Sequence, residues 1–353
     1  MSRVKVLFIL KRRHDYSSRK HSSHAGMSTG LYNSASFMSE MLLKAGVSSE
    51  VAVVVDNNEI DKHVTKHKPT HVIIEALWVT PSKFSVLSKL HPNVKWIVRL
   101  HSELAFLANE GIAMDWIGDY LDFKNVIIAV NAPRTLEEIR FYAKNKEIPA
   151  VLVDKKVVYL PNYYPQNYKD KNLDKNKEHI DICCFGAIRP LKNHLVQAIA
   201  AVKFAESIGR KLRFHINLGR VEGRGEPILK NLQCLFAQLE DTGHKLIEQE
   251  WTPREEFLHL CRRMDLGMQC SISETFNIVA ADLISQGVPV IGSREIPWIN
   301  PMFCANPVDS KKIEKAIKRS YCLPKINVYT NQILLKRYTN KSRKIWLNYF
   351  KNK

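Results

Sequence analysis

Two acidic residues in the last third of the chain flank the predicted start of a short helix. Glu274 ends a polar loop, and Asp282 follows eight positions later. At a rise of about 1.5 Å per residue, the two lie roughly 9–12 Å apart. The helix N-terminus between them offers backbone N–H groups and a partial positive charge, which suit a pyrophosphate. Two carboxylates that accept hydroxyl hydrogen bonds beside an anion site predict a nucleotide-sugar pocket.

This helix is predicted to bury one face. Phe276, Val279, Ala280 and Leu283 recur at helical spacing and indicate a stripe that faces the core. Asp282 lies off this stripe. The structural alternatives for the two acids are a helix cap and a solvated surface carboxylate.

A second stretch, residues 185–193, joins a predicted strand to a predicted helix and carries two cations. Gly186 permits close approach of the backbone to a ligand, and Arg189 and Lys192 can hold a diphosphate leaving group. Junctions between strands and helices often carry Arg and Lys for structural reasons alone. The interpretation of this stretch as an anion site therefore depends on the acidic pair.

Together the two stretches resemble the retaining GT-B glycosyltransferases, particularly the large family 4. The resemblance is strong over residues 180–300 and only general over the first half of the chain. The positions that match the family's acidic motif are Glu274, Phe276, Asp282, Gly287, Pro289 and Val290. Those that match its upstream glycine-rich motif are Gly186, Ile188, Pro190 and Lys192.

Three positions depart from the family pattern. Ala187 stands where the family usually has arginine, and Arg189 is the expected substitute. Asn277 replaces the glycine of the phosphate turn, and Asp282 is one methylene shorter than the usual glutamate. These changes leave the expected pocket in place but make the identity of the donor less certain.

The resemblance implies a role for each candidate residue. Lys192, Arg189 and the helix N-terminus at Asn277 and Ile278 would stabilise charge on the leaving diphosphate. Glu274 would bind hydroxyls of the donor sugar. The other implied donor-site residues are Asp282 at the ribose, Trp251 and Arg254 at the base, His101 beside the sugar, Phe276, and Gly30 in the amino-terminal motif.

The expected catalytic group is therefore Glu274, Lys192, Arg189 and His101, with an ordinary structural histidine as the alternative for His101. Enzymes of this type use no clear protein nucleophile, so the leaving phosphate itself would take the acceptor proton. No Asp-x-Asp motif occurs in the sequence. We expect a metal-independent enzyme without a cofactor, whose donor is a UDP-sugar.

Apolar runs alternate with amphipathic segments along both halves of the chain. Helical segments separate the strands and include 30–45, 81–90, 193–207, 227–240 and 253–263. This alternation indicates parallel sheets covered on both faces. Strands are predicted at 4–10, 50–56, 70–77, 95–100, 126–130 and 157–160, then at 180–185, 213–218, 245–248, 266–269 and 288–291.

The predicted fold class is α/β, a GT-B fold of two Rossmann-like, doubly wound domains that face a central cleft. We assign 1–166 to an acceptor-binding domain, 167–179 to a polar linker and 180–310 to a nucleotide-sugar-binding domain. By the same resemblance, residues 311–353 form a basic helical tail that packs back on the first domain.

The net charge of +18 is confined to the two ends of the chain. Residues 1–24 contain seven Lys or Arg and one acid, and residues 311–353 contain thirteen and one, which leaves 33 of each sign between them. Concentrated cations suggest a polyanionic partner, although a solvated basic tail without a partner is the alternative. The candidate polyanion-binding residues of the first loop are Lys11, Arg12, Arg13, Arg19 and Lys20.

Two acceptors fit this charge. One is duplex DNA that carries hydroxymethylated pyrimidines, as in bacteriophage DNA glucosyltransferases, with the target base flipped out of the stack. The other is a lipid-linked saccharide at an anionic membrane. We favour DNA because the basic tail lacks the Leu/Trp-rich face of an interfacial helix. A non-catalytic nucleic-acid-binding protein on a GT-B scaffold is a third, less favoured hypothesis.

The bulk composition is typical of a soluble globular protein. The chain of 353 residues is 45% hydrophobic, and no apolar run reaches the length of roughly 18–20 residues that spans a bilayer. Seven cysteines show no Cys-x-x-Cys spacing, so we expect reduced, buried thiols in the cytoplasm, which is the host cytoplasm if the protein is viral. His21-x-x-His24 has no further ligands in view, so a metal site there is not favoured.

Overall fold

The computed structural model describes residues 4–11, 30–146, 148–172 and 177–351. These residues form two compact units. The first contains residues 4–11, 30–146, 148–165 and 339–351, and the second contains residues 166–172 and 177–338.

The first unit is built on a six-stranded parallel sheet with the strand order β2-β1-β3-β4-β5-β6. Its strands are β1 Lys5–Lys11, β2 Ser48–Val54, β3 His71–Glu75, β4 Lys95–Leu100, β5 Val126–Val130 and β6 Val157–Tyr159. Its helices are α1 Gly30–Lys44, α2 Ile60–His67, α3 Pro81–Leu90, α4 Leu104–Leu107, α5 Ala113–Asp122, α6 Pro133–Asn145 and α7 Ala150–Lys156.

The central strands of this sheet are buried on both faces. Leu7 and Ile9 pack in one apolar cluster with Trp96, whereas Phe8 packs in a second cluster with Trp346. Alternate residues of β1 therefore enter different cores. This is why the strand reads as a continuous apolar run instead of an alternating one.

The second unit contains a five-stranded parallel sheet with the order β11-β10-β7-β8-β9. Its strands are β7 His179–Cys183, β8 Lys211–Asn217, β9 Lys245–Gln249, β10 Leu266–Gln269 and β11 Val290–Gly292. Its helices are α8 His194–Ser207, α9 Glu226–Ala237, α10 Arg254–Arg263, α11 Ile278–Ser285, α12 Ser310–Cys322 and α13 Pro324–Lys351.

The basic C-terminal region does not form one continuous tail. Helix α12 packs on α8 within the second unit through Ile313 and Ile317. Helix α13 belongs to the second unit up to Tyr338, where Asn327 exchanges hydrogen bonds of 3.1 and 2.9 Å with the backbone of Val290.

From residue 339 onward, α13 belongs to the first unit. Trp346 is fully buried there beside Phe8, and its Nε1 donates to the Pro161 carbonyl over 2.8 Å. The region that the sequence treats as a single basic tail thus contributes core residues to each unit. Apolar residues on its inner face determine where it packs, and its cations stay outside.

The polar stretch 167–179, predicted as a linker, is attached to the second unit where the structure describes it. The Lys169 N–H donates to the Ser285 carbonyl over 2.7 Å, and Arg262 donates to the Asp170 carbonyl over 2.8 Å. The backbone of this stretch passes directly over Gly287, whose φ is +76°.

The contact at Gly287 generates a stability prediction. A Cβ at this position would lie 2.6 Å from the Lys169 carbonyl oxygen and 2.8 Å from the Lys171 nitrogen. Gly209 of the same unit also has positive φ, at +65°, but its Cβ would meet nothing within 4 Å. We expect Gly209→Ala to cost about 1–2 kcal/mol from backbone strain alone.

Gly287→Ala should cost at least about 2 kcal/mol more, because backbone atoms must move. Denaturant unfolding of both variants measures the difference. Equal destabilisation of the two would contradict the close crossing at Gly287.

Candidate active site

The Gly186 loop leaves the carboxyl end of β7 and lies against the start of α11. Gly186 has a φ of +117°, in the left-handed region, and a Cβ built on it would lie 3.9 Å from Val279 Cγ2. Its N–H donates to the Asn217 side chain over 3.0 Å. This positive φ requires glycine at position 186. The same residue lies where the loop approaches the N-terminus of α11.

Lys192 ends a single 3-10 turn, Pro190–Lys192, that is fixed from two sides. The Gln197 side chain donates to the Lys192 carbonyl and accepts from the Cys270 N–H, both over 2.8 Å. The Ile272 N–H donates to the Leu191 carbonyl, also over 2.8 Å. The turn is therefore attached to the segment that carries Glu274.

Glu274 and Lys192 form an ion pair with little exposure to solvent. Lys192 Nζ donates to Glu274 Oε2, and the side chains are 13% and 10% exposed respectively. Asn277 Nδ2 donates to the same carboxylate over 3.0 Å. Burial alone would raise the pKa of Glu274, but the charge and hydrogen bond of Lys192, together with the charge of Arg189, lower it below the ordinary value.

Asn277 shows how the chain replaces the glycine of the phosphate turn. It adopts a φ of +60°, and its side-chain oxygen caps α11 by accepting from the Ala280 N–H over 2.8 Å. Asparagine is one of the few side chains that tolerate the left-handed region. The N–H groups of Ile278 and Val279, in the first turn, have no acceptor within the helix.

Gln269, which our sequence reasoning missed, joins the two predicted motifs. It ends β10, donates to the Phe185 carbonyl over 3.0 Å and accepts from Asn277 Nδ2 over 2.8 Å. It is 1% exposed. A polar residue at the carboxyl end of a buried parallel strand is a signal that could have found it.

Asp282 lies off the predicted apolar stripe but is buried all the same, so it is not the solvated surface carboxylate that was the structural alternative. Its side chain is 1% exposed, and Oδ1 accepts from Arg254 Nη2 over 2.7 Å. Helix α11 is covered almost all round, because residues 280–285 are all buried. The side chain of Asp282 therefore contacts α10 and not solvent. Its partner, Arg254, is the first residue of that helix. Its role at the ribose stays a prediction.

Phe276 is a core residue. It is 1% exposed and packs on Trp298 and Tyr338, with ring centroids 6.0 and 5.5 Å away. Trp298 Nε1 donates to the Phe276 carbonyl over 2.7 Å. The side chain stabilises the loop before α11, so the expected contact between its ring and the donor is not supported by its position.

Trp251, predicted to lie near the base, follows β9 and contacts the loop after β8. The Arg220 guanidinium carbon lies 5.2 Å from the centroid of the Trp251 ring. A Cβ on Gly219 would lie 2.8 Å from Trp251 Cβ, so the glycine is needed for this contact. Arg220 also pairs with Glu222 and was not among our predicted residues.

His101 of the first unit belongs to a buried polar cluster that the sequence did not reveal. Its Nε2 contacts the carboxylate of Glu75, which also accepts from Arg99 over 3.2 Å. Arg99 donates further to Asn162 and, over 3.3 Å, to Ser34. Burial lowers the pKa of His101; the charge of Glu75 opposes this shift, and the charge of Arg99 adds to it.

The remaining predicted residues are near the start of the chain. Gly30 begins α1 and is half-buried, and Lys11 ends β1 and is exposed. Arg12, Arg13, Arg19, Lys20 and the pair His21 and His24 lie outside the described residues.

All seven cysteines are free thiols, four of them buried, whereas Cys234 and Cys322 are exposed and Cys304 is intermediate. The expectation of buried thiols is therefore right for four positions and wrong for the two exposed ones. Over the described ranges, no group of three or more His, Cys, Asp or Glu side chains is placed to hold a metal ion. Nor does any described helix have the length and apolar character needed to cross a membrane.

No protein-family model matches the sequence, and no curated protein matches it. The structure is nevertheless similar over nearly its whole length to solved structures. Sucrose-phosphate synthase from Thermosynechococcus elongatus gives a TM-score of 0.69 at 12% identity, with 99% of this chain and 98% of that chain covered.

Two further neighbours have comparable scores. A UDP-forming α,α-trehalose-phosphate synthase from Burkholderia xenovorans gives a TM-score of 0.67 at 10% identity, with 98% of both chains covered. The N-terminal domain of trehalose-6-phosphate phosphatase from Candida albicans gives 0.68 at 11%, with 98% and 96% covered. Identities this low establish the fold alone. The predicted GT-B class, with two parallel α/β units, is confirmed.

The Lys192–Glu274 pair, whose side chains are 13% and 10% exposed, generates a prediction for stability. Lys192→Met should cost about 3 kcal/mol near pH 7, because it leaves a largely buried carboxylate without its cation. Adding Glu274→Gln to this variant should restore most of the loss. Lys211→Met, which breaks an ion pair whose side chains are 53% and 72% exposed, is the control and should change little.

The pKa of Glu274 determines how the stability of the protein should change with pH. The folded-state pKa of Glu274 lies below its ordinary value of 4.5, so its stabilisation is present above pH 4.5 and is lost as pH falls through the folded pKa. Without Lys192, burial raises this pKa, and the variant should lose less stability than wild type on acidification. Denaturant unfolding at several pH values measures this, and an unchanged pH profile in Lys192→Met would contradict the pairing.

Proposed function

We propose that the protein is a glycosyltransferase that takes a sugar from a nucleotide sugar, with UDP as the expected nucleotide. The observation that carries this proposal is the buried Lys192–Glu274 pair beside the capped N-terminus of α11. A cation, helix N–H groups and an ionised carboxylate are thereby held within one small region. These are the groups that a sugar diphosphate requires.

In the proposed reaction the diphosphate binds at Lys192, Arg189 and the first N–H groups of α11. Lysine has three N–H donors, so Lys192 can contact a phosphate oxygen while it keeps its bond to Glu274. The low pKa of Glu274 keeps its carboxylate ionised, so it can accept hydrogen bonds from sugar hydroxyls. These contacts orient the sugar relative to its leaving group.

Transfer breaks the bond between the anomeric carbon and the phosphate oxygen and forms a bond from that carbon to the acceptor oxygen on the same face of the sugar. The acceptor proton passes to the departing phosphate, so the products are the nucleoside diphosphate and the glycosylated acceptor. Positive charge at Lys192 and Arg189 stabilises the developing negative charge on the diphosphate.

Turnover provides the test. With a panel of UDP-sugars, we expect wild-type protein to release UDP, and Glu274→Gln to reduce kcat by at least about 100-fold, because a hydrogen-bond acceptor at the reacting sugar is lost. Glu255→Gln changes an exposed acid of the same unit and should leave the rate unchanged. An active Glu274→Gln variant, or release of UDP by neither variant nor wild type, would contradict the proposal.

For the acceptor, we propose duplex DNA that carries a hydroxymethylated pyrimidine. The structural neighbours named above lend no support to this choice, which depends on charge alone. Its support is that the cations of α13 are exposed and available to phosphates: Lys336, Arg337, Lys341, Arg343, Lys344 and Lys351. A lipid-linked saccharide at an anionic membrane is the alternative, because it would attract the same cations.

Transfer assays separate the two acceptors. At low salt we expect labelled sugar to appear in hydroxymethylcytosine or hydroxymethyluracil DNA, and DNA binding to weaken steeply between 50 and about 200 mM salt. Replacing Lys341 and Lys344 by Gln should reduce the salt dependence. Transfer to a lipid-linked glycan, with none to modified DNA, would show that the DNA proposal is wrong.

A further inference from the structure

A concave region of the second unit lies next to the Lys192 turn, since Asn193 Nδ2 donates over 2.6 Å to the carbonyl of Pro307, one of the residues that line it. It is a cavity of about 450 Å³ at the carboxyl end of β11, and none of its lining residues belongs to the Lys192–Glu274 site. Its walls are the turn that begins at Ser293, the segment from Pro301 to Pro307, and one face of α12. A volume of this size suits a small ligand.

The lining of this cavity is strongly basic. Lys312, Lys315 and Arg319 recur on one face of α12 at helical spacing, and Arg294 faces them from the turn after β11. Glu295 is the one acid in the described lining. The excess of cations favours an anionic ligand.

Only part of this charge is already engaged. Arg319 donates to the Met302 carbonyl, and Lys312 pairs with Asp309 over 3.8 Å. Within the described part of the chain, Arg294 and Lys315 form no ion pair. Both are exposed, so neither is desolvated at present.

Ser293 provides an independent indication of a ligand. Its side chain is 1% exposed, and its hydroxyl has no hydrogen-bond partner among the described residues. An unsatisfied buried hydroxyl costs about 1–3 kcal/mol unless something binds it. Ser293 is one of the residues that line the cavity, so a rotation of its side chain would let the hydroxyl donate to a ligand oxygen there.

We propose that this cavity binds the phosphate group of a small phosphate monoester. The Ser293 hydroxyl donates to one phosphate oxygen, and Lys315 and Arg294 supply positive charge. A nucleic-acid backbone is the less suitable occupant, because a cavity of about 450 Å³ holds a small molecule and not a duplex. This inference does not depend on the proposed transferase activity.

Isothermal titration calorimetry of the full chain tests the proposal, with inorganic phosphate, glycerol 3-phosphate and glycerol as probes. We expect both phosphates to bind and glycerol not to bind. Lys315→Glu should weaken the binding on the order of tenfold or more, because a charge-assisted contact becomes a repulsion. Lys318→Glu is the matched control: it is exposed on the same helix but does not line the cavity, and it should bind nearly as wild type does.

Ser293→Ala should weaken phosphate binding several-fold without loss of thermal stability, since it removes only an unpartnered hydroxyl. A saturating concentration of UDP should leave the binding intact, which separates this cavity from the proposed donor site. The proposal is overturned if Lys315→Glu and Lys318→Glu weaken binding equally, if UDP displaces the phosphate, or if a short DNA duplex binds at Lys315 while the small phosphates do not.

Discussion

The buried pairing of Lys192 with Glu274 is the interaction on which the candidate site depends. Two ions removed from water are stable together only when their geometry is good and their other hydrogen-bonding atoms are satisfied. Gln197 fixes the turn that presents Lys192, and Asn277 donates to the carboxylate of Glu274. Removing any one of these polar groups would leave another one unsatisfied, so the set stabilises a single arrangement of two loops.

Parallel sheets explain why these groups meet. Each strand of the second sheet ends at the same edge, so β7, β10 and the segments that follow them bring Gly186, Lys192 and Glu274 together from positions far apart in sequence. The parallel strands of the first sheet likewise end at one edge. Glu75 ends β3, and His101 follows β4, so their contact is a consequence of adjacent parallel strands.

The sequence predicted strands most accurately where an apolar run ends abruptly at polar residues. Strands β4, β5 and β10 begin and end at the predicted residues. Combining two motifs, neither of which was specific alone, assigned the Lys192 turn and Glu274 to one predicted pocket, but their ion pair was not predicted. The burial of Asp282 was not predicted, because helical periodicity identifies one buried face but does not show that neighbouring elements also cover the opposite face.

The partners of other residues could not have been predicted from local pattern. Gln269 and Arg99 lie in runs that read simply as strand, and their partners are distant in the sequence: Phe185 is 84 positions from Gln269, and Asn162 is 63 positions from Arg99. Trp346 contacts Pro161 across 185 positions. Such contacts depend on the tertiary fold, which a single sequence does not supply.

The positive charge of the C-terminal region now has a location within the described residues. On α12 it surrounds a cavity that also contains a buried hydroxyl, whereas on α13 it lies on an exposed helical face. A concave and an exposed basic surface suit different anions, a compact phosphate ester in one case and an extended polyanion in the other. The cations of α12 and those of α13 can therefore serve two different anionic partners.

A crystal structure of the protein with UDP bound would test the central claim most directly. We expect the β-phosphate within about 3 Å of Lys192 Nζ and of an N–H group in the first turn of α11, since these are hydrogen-bond distances. Glu274 should face the position where the sugar would be attached. A diphosphate bound elsewhere, with the Lys192–Glu274 pair undisturbed and remote from it, would contradict the account.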